Sequence, residues 1–127
     1  LYGNNPFNFI IMIEKFGIGI DIADITKFEC ISFSEKSEFY KKIFLQSEID
    51  YCLKFKNPYE RFAGKFAIKE AAIKSIDEKV HVIDIETFHK NSKPSLRIPK
   101  IDNKYDFLVS LSHDQKMAVA VVISEKL

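Results

Sequence analysis

Residues Arg61 to Ile76 (RFAGKFAIKEAAIKSI) form the longest proline-free run of helix-forming composition in the chain. The preceding Asn57-Pro58 closes one segment and opens this one, with proline in its tolerated first turn. At 100° per residue Tyr59, Phe62, Phe66 and Ile73 gather on one side, which is expected to face the core. Glu70 falls in the same stripe, with Lys74 at its edge. A carboxylate there needs a partner, because an unpaired buried one costs several kcal/mol or shifts its pKa. An (i, i+4) pair between Glu70 and Lys74, worth roughly 0.3–0.5 kcal/mol if exposed, is one reading. A metal or ligand site is the other.

The 127 residues fit one domain with its own core, and 46% hydrophobic with 29% charged residues is a globular composition. Nineteen basic against eighteen acidic residues leave a formal charge of +1, so no overall field favours nucleic acid or an anionic membrane. Cys30 and Cys52 are isolated, without metal-site spacing, and are expected to be reduced, buried thiols of a cytoplasmic protein. The apolar stretch Phe9 to Ile13 is far too short to span a bilayer and lacks the flanks of a targeting signal. Residues 1–11, rich in Gly, Asn and Pro, read as an N-terminal extension, and residues 12–127 as the domain.

Phe16 to Ile22 alternates as a half-buried strand, with Phe16, Ile18, Ile20 and Ile22 on one face and Gly17, Gly19, Asp21 and then Ala23 on the other. The small-residue face leaves room for a ligand or another chain to come close. Asp24 can cap a short helix through Ile25, Lys27 and Phe28; Ser34 or Ser37 starts a second helix and Ser47 a third. His81 to Phe88 reads as a strand, Lys90 to Pro94 as a turn, and Leu96 to Ile98 as the returning strand. Phe107 to Leu111 and Met117 to Ile123 form a second hairpin, with Ser112 to Lys116 at its turn. Strand, helices, hairpin, hairpin is an α+β order: a mainly antiparallel sheet packed on the long helix.

Asp21 on a cleared strand face, Glu70 on the helix and His113 at a hairpin tip are the candidate functional groups. Two carboxylates without clustered cysteine or histidine suit Mg²⁺, which keeps waters and takes its remaining ligands from a phosphorylated substrate. Lys65, Lys69 and Lys74 on the same helix could bring positive charge to those phosphates. There is no Walker-type loop, no GxGxxG, and no spacing that supports a nucleophilic triad.

GIGIDIADITKF (Gly17 to Phe28), FAGKFAIKEAAIKSI (Phe62 to Ile76) and VSLSHDQKMAVAVVI (Val109 to Ile123) resemble, in order and spacing, the holo-acyl-carrier-protein synthases, small 4'-phosphopantetheinyl transferases. The first block carries a Gly-x-Asp signature, the second Lys-Glu-Ala-x-x-Lys at Lys69, Glu70, Ala71 and Lys74, and the third a Val-Ser-x-Ser-His strand. A weaker match lies at Ser47-Glu48-Ile49-Asp50. The resemblance implies that fold and a Mg²⁺-dependent transfer of the phosphopantetheine arm of coenzyme A to a serine of an acyl carrier protein, as in fatty acid biosynthesis, releasing adenosine 3',5'-bisphosphate. It makes Asp21 and Glu70 the metal ligands, and Lys74 the neutraliser of charge on the pyrophosphate. Lys65 (arginine in many relatives) and Lys69 become phosphate contacts, and Ser112 with His113 neighbours of the nucleotide's 3'-phosphate or adenine. For the serine proton it leaves both Glu70 and a water on the metal as acceptors.

The acidic recognition helix of a carrier protein would then meet Lys27, Lys36, Lys41 and Lys42, with Lys27 standing where relatives usually carry arginine. Asp77-Glu78-Lys79 replaces a glycine-containing loop near the coenzyme A phosphates. Relatives of this size are commonly homotrimers with active sites between subunits. A non-catalytic module of the same fold, binding carrier protein or nucleotide, is the alternative reading.

Overall fold

The computed structural model describes residues 12–127, so the expectation for residues 1–11 lies outside the described residues. The chain runs β1 (Phe16–Asp24), α1 (Ile25–Glu29), α2 (Ser37–Lys41), α3 (Gln46–Leu53) and α4 (Pro58–Ser75). A 3-10 turn (Val82–Asp84) then leads into β2 (Glu86–Lys90), β3 (Lys93–Arg97), β4 (Tyr105–His113) and β5 (Met117–Lys126). The fold is α+β and all strand pairs are antiparallel, but the strands divide into a three-stranded sheet, β1-β5-β4, and a separate β2-β3 hairpin.

Local chemistry sets most boundaries. Asp24 Oδ1 accepts the Thr26 amide at 2.9 Å, and Asn57 Oδ1 accepts that of Tyr59 at 3.2 Å with Pro58 in the first turn. α3 starts one residue before Ser47, because Glu48 reaches back to the Leu45 amide at 2.8 Å. The β2-β3 turn places Asn91 (φ 52°) and Ser92 (φ 66°) in the left-handed region, the twist a two-residue hairpin needs.

The helix seats differently from the wheel's expectation. Tyr59, Phe66, Glu70 and Ile73 are only half-buried, whereas Ala63, Ala67, Ala71 and Ala72 are fully buried beside Phe62 and Ile68. α4 lies on the inner face of β1 and β5 through its small residues. A Cβ on Gly19 would sit 1.8 Å from the Ala71 carbonyl oxygen, and one on Gly17 1.8 Å from that of Ser75. The cleared strand face is therefore filled by the chain's own helix, not by a ligand or a second chain. The aliphatic face turns outward instead: Ile18 is 68% exposed and Leu108 70%. A larger side chain on the inner row would hold the helix off the strand, so the small residues decide which face is the core.

On its other side α4 meets an aromatic cluster built from Phe28, Tyr40, Phe44 and Phe62, with Tyr40 fully buried. Cys52 is buried, and burial pushes its thiol up to about 12, so it is protonated at neutral pH. Cys30, expected to be buried, is exposed just past the end of α1. Among the described residues no helix is long and apolar enough to cross a membrane.

Candidate active site

β1 and α4 bring Asp21, Glu70 and Lys74 together. Asp21 lies in the small-residue row on the inner face of β1, between Gly19 and Ala23, and Lys74 Nζ donates to its Oδ1 at 3.0 Å and to the Ile20 carbonyl at 3.0 Å. Lys74 thus pairs across to the strand, and not along the helix with Glu70 as the (i, i+4) reading expects. Burial pushes the Glu70 carboxyl above its ordinary value, the nearby Asp21 charge adds to this, and Lys74 opposes it. Two half-buried carboxylates that repel one another form a donor set for a cation. Among the described residues no group of three or more His, Cys, Asp or Glu side chains assembles, so zinc-type ligation is not offered. Two hard oxygen donors fit Mg²⁺ whose other ligands are water and phosphate oxygens.

A second constellation lies in a cleft lined by Tyr51, Glu60, Arg61, Lys65, His89 and His113. His113, expected at the hairpin tip, is the last residue of β4, opposite Ala118, and its Nε2 lies 3.1 Å from Glu60 Oε1. Lys65 is 6% exposed; its Nζ donates to Thr87 Oγ1 at 3.0 Å and to the Thr87 carbonyl at 3.3 Å, and lies 4.8 Å from the Tyr51 ring centre. Burial pulls its pKa below the usual lysine range, with Glu48 and Glu86 among the groups opposing the shift.

Two expectations for this region are corrected. Lys69 is fully buried, donating to Glu48 Oε1 at 2.6 Å and to the Ile43 carbonyl at 2.8 Å, so it offers no phosphate contact. Its place in the signature motif is structural. Ser112 is adjacent to His113 on a strand and faces the other side of the sheet, with Leu108 and Ser110, away from the cleft. Glu60, Arg61, Thr87 and His89 escaped sequence reasoning. Only Glu60 and Arg61 carried a signal, lying about one helical turn before Lys65; β2 brings Thr87 and His89.

Glu70 and Lys65, five residues apart on α4, stand about 140° apart around its axis. The two constellations therefore open on different sides of the helix. Lys27, Lys36, Lys41 and Lys42 are all exposed; Lys41 lies 3.6 Å from Glu38, and Lys27 borders a shallow hollow with Ile22, Phe28, Phe66 and Met117. The loop after α4 is tied to β5 by Lys126 at 3.7 Å from Asp77, and to β4 by the Asp77 amide, which donates to the Tyr105 hydroxyl at 3.5 Å.

The chain belongs to the 4'-phosphopantetheinyl transferase superfamily, whose family model matches residues 17–122. Within it, the chain is 32% identical to the holo-[acyl-carrier-protein] synthase of Thermodesulfovibrio yellowstonii over 88% of this chain and 98% of that protein. It is 34% identical to the synthase of Halothermothrix orenii, covering 87% and 97%. Among solved structures, it resembles a holo-(acyl-carrier-protein) synthase from Bacillus anthracis in complex with CoA (3',5'-ADP), at 30% identity and a TM-score of 0.73 over 87% of this chain and 96% of that one. It likewise resembles the Helicobacter pylori synthase in complex with coenzyme A, at 32% identity and a TM-score of 0.72 over 85% and 99%.

Proposed function

We propose that this chain is a holo-[acyl-carrier-protein] synthase, which moves the 4'-phosphopantetheine group of coenzyme A onto a serine of an apo acyl carrier protein. The observation that carries the reading is the Asp21–Glu70 pair facing Lys74 inside the family match. The serine oxygen bonds to the phosphorus bearing the pantetheine arm, and the bond from that phosphorus to the bridging oxygen breaks. Adenosine 3',5'-bisphosphate leaves with the electron pair, and the serine proton passes to a base. Mg²⁺ held by Asp21 and Glu70 would supply charge neutralisation on the pyrophosphate. Lys74 adds a second positive charge at the same place. Lys65 and Arg61 supply positive charge to a cleft, bordered by His113 and Glu60, that is suited to the nucleotide's remaining phosphate. Lys27, Lys36, Lys41 and Lys42 offer an exposed basic surface to an acidic carrier helix.

The assembly is a homotrimer in which one molecule of coenzyme A bridges the carboxylate pair of one subunit and the cationic cleft of its neighbour. Two observations support this: the constellations open on different sides of α4, and the outer sheet face leaves Phe16, Ile18, Ile20 and Ile22 exposed. A cytoplasmic setting accords with two free thiols.

The test is an intact-mass assay with coenzyme A, Mg²⁺ and apo carrier proteins from the same organism. The carrier should gain the mass of the arm, and Asp21→Ala and Glu70→Ala should each slow transfer by about 10² to 10⁴. Transfer that is unchanged in both variants sinks the reading. Binding of coenzyme A without any transfer would favour a non-catalytic module.

A further inference from the structure

Behind the cationic cleft lies a buried polar network that the transfer chemistry does not use. Glu48 is 1% exposed and accepts four hydrogen bonds. Its Oε1 takes Lys69 Nζ at 2.6 Å and the Leu45 amide at 2.8 Å; its Oε2 takes the Thr87 amide at 2.9 Å and the Thr87 hydroxyl. The Thr87 hydroxyl, having donated its proton to Glu48, can only accept from Lys65, and does so at 3.0 Å. The chain of donors therefore has one direction: Lys65 to Thr87 to Glu48. Lys65 uses two of its three N–H donors on Thr87 and borders the cleft, so one donor remains for a ligand.

The charges point the same way. Glu48 sits in direct contact with Lys69, and the pair is fully buried. Lys65 has no carboxylate in salt-bridge contact among the described residues, and it is linked to Glu48 only through the Thr87 hydroxyl. The ammonium is fixed but not neutralised. A flexible surface lysine would have to lose rotamer freedom to bind a phosphate, whereas this one has already lost it on folding.

We propose that Glu48, acting through the Thr87 hydroxyl, is a positioning residue that holds the Lys65 ammonium as a preset binding charge for a phosphate of the nucleotide. The proposal rests on the reading of the cleft given above, and the experiment separates the two. Calorimetry and steady-state kinetics with coenzyme A and with dephospho-coenzyme A, which lacks the 3'-phosphate, are run on the full chain. Lys65→Met tests the cleft: loss of the preference for coenzyme A over its dephospho form supports it, and an unchanged preference overturns it together with the proposal.

Thr87→Val, of similar size without the hydroxyl, tests the positioning. Its Kd and KM for coenzyme A should rise roughly tenfold with little change in kcat or in dephospho-coenzyme A binding. Thr87→Ser should recover most of that loss. If Lys65→Met abolishes the preference while Thr87→Val retains it, the cleft reading stands and the positioning role is wrong. Glu48→Gln adds a sign test. Removing a negative charge from behind an anion site should tighten phosphate binding by Coulomb's law alone, whereas loss of an oriented Lys65 weakens it. Weaker binding supports the proposal and tighter binding overturns it; if that variant does not fold, the two Thr87 variants decide.

Discussion

Glu70 shows how one residue couples site and stability. Its carboxyl is raised above the ordinary 4.5 by burial and by Asp21, so the folded chain holds that proton more tightly than the unfolded chain does. The resulting stability is fully present below the ordinary value and is lost as pH rises through the raised folded value. Glu70→Gln, neutral throughout, does not suffer this loss. In thermal melts with chelator from about pH 4 to pH 8, the variant's Tm should therefore gain on that of the wild type as pH rises. Adding Mg²⁺ should reverse the order at neutral pH by stabilising only the wild type. A difference that stays flat with pH contradicts the like-charge account. The helical wheel marked Glu70 as anomalous, but it could not show that Lys74 answers Asp21, a residue 53 positions away in sequence.

At the scale of elements, the contact between α4 and β1 is the joint that places Asp21 beside Glu70. It depends on absent side chains. Gly19→Ala drives a Cβ into the Ala71 carbonyl, at 1.8 Å from the oxygen and 2.8 Å from the carbon, and backbone cannot move aside cheaply. The expected loss is at the upper end of roughly 1–3 kcal/mol. Gly64→Ala is the contrast. Its nearest neighbour is Leu111 Cδ2 at 3.1 Å, the end of a side chain that can give, and alanine gains up to about 1 kcal/mol in a helix interior. Gly64→Ala should be neutral or slightly stabilising. Urea midpoints at unchanged m-value measure both, and equal losses in the two variants would contradict the close-approach account. The alternation of Phe16 to Ile22 identified the strand and its two faces. Which face is the core was not legible, because it depends on a helix some fifty residues later.

At the scale of the whole molecule, Ile18, Ile123 and Leu108 lie side by side across β1, β5 and β4, and the first and last are largely exposed. Such a surface is a liability unless another subunit covers it. Leu108→Glu or Ile18→Glu should leave the isolated fold intact, shift sedimentation toward the monomer, and reduce transfer in proportion to the assembly lost. A wild-type protein that sediments as a monomer while fully active would remove the shared-site assembly. The proposed carrier-docking surface belongs to the same scale, since its lysines come from separate elements, α1 and the segment around α2.

The sequence alone determined most of the elements and their local chemistry, although the run read as a strand from His81 opens with a 3-10 turn at Val82–Asp84 and becomes a strand only at Glu86. The cap at Asp24, the Asn57-Pro58 helix boundary, the proline-free helix, the strand alternation and the turn residues are all local, and local backbone energetics need no distant partner. Three ordered blocks also sufficed to identify the family and to point to Asp21, Glu70 and Lys74. Only the tertiary structure decided what fills each face and which charge meets which. Lys65 and Lys69, one turn apart in the Phe62 to Ile76 block, end in different roles: one borders a cleft against Thr87, and the other is sealed against Glu48. Periodicity records which residues share a side of a helix. The neighbour on that side is set by packing between segments far apart in the chain, and so is the chemistry of the long helix that carries Glu70.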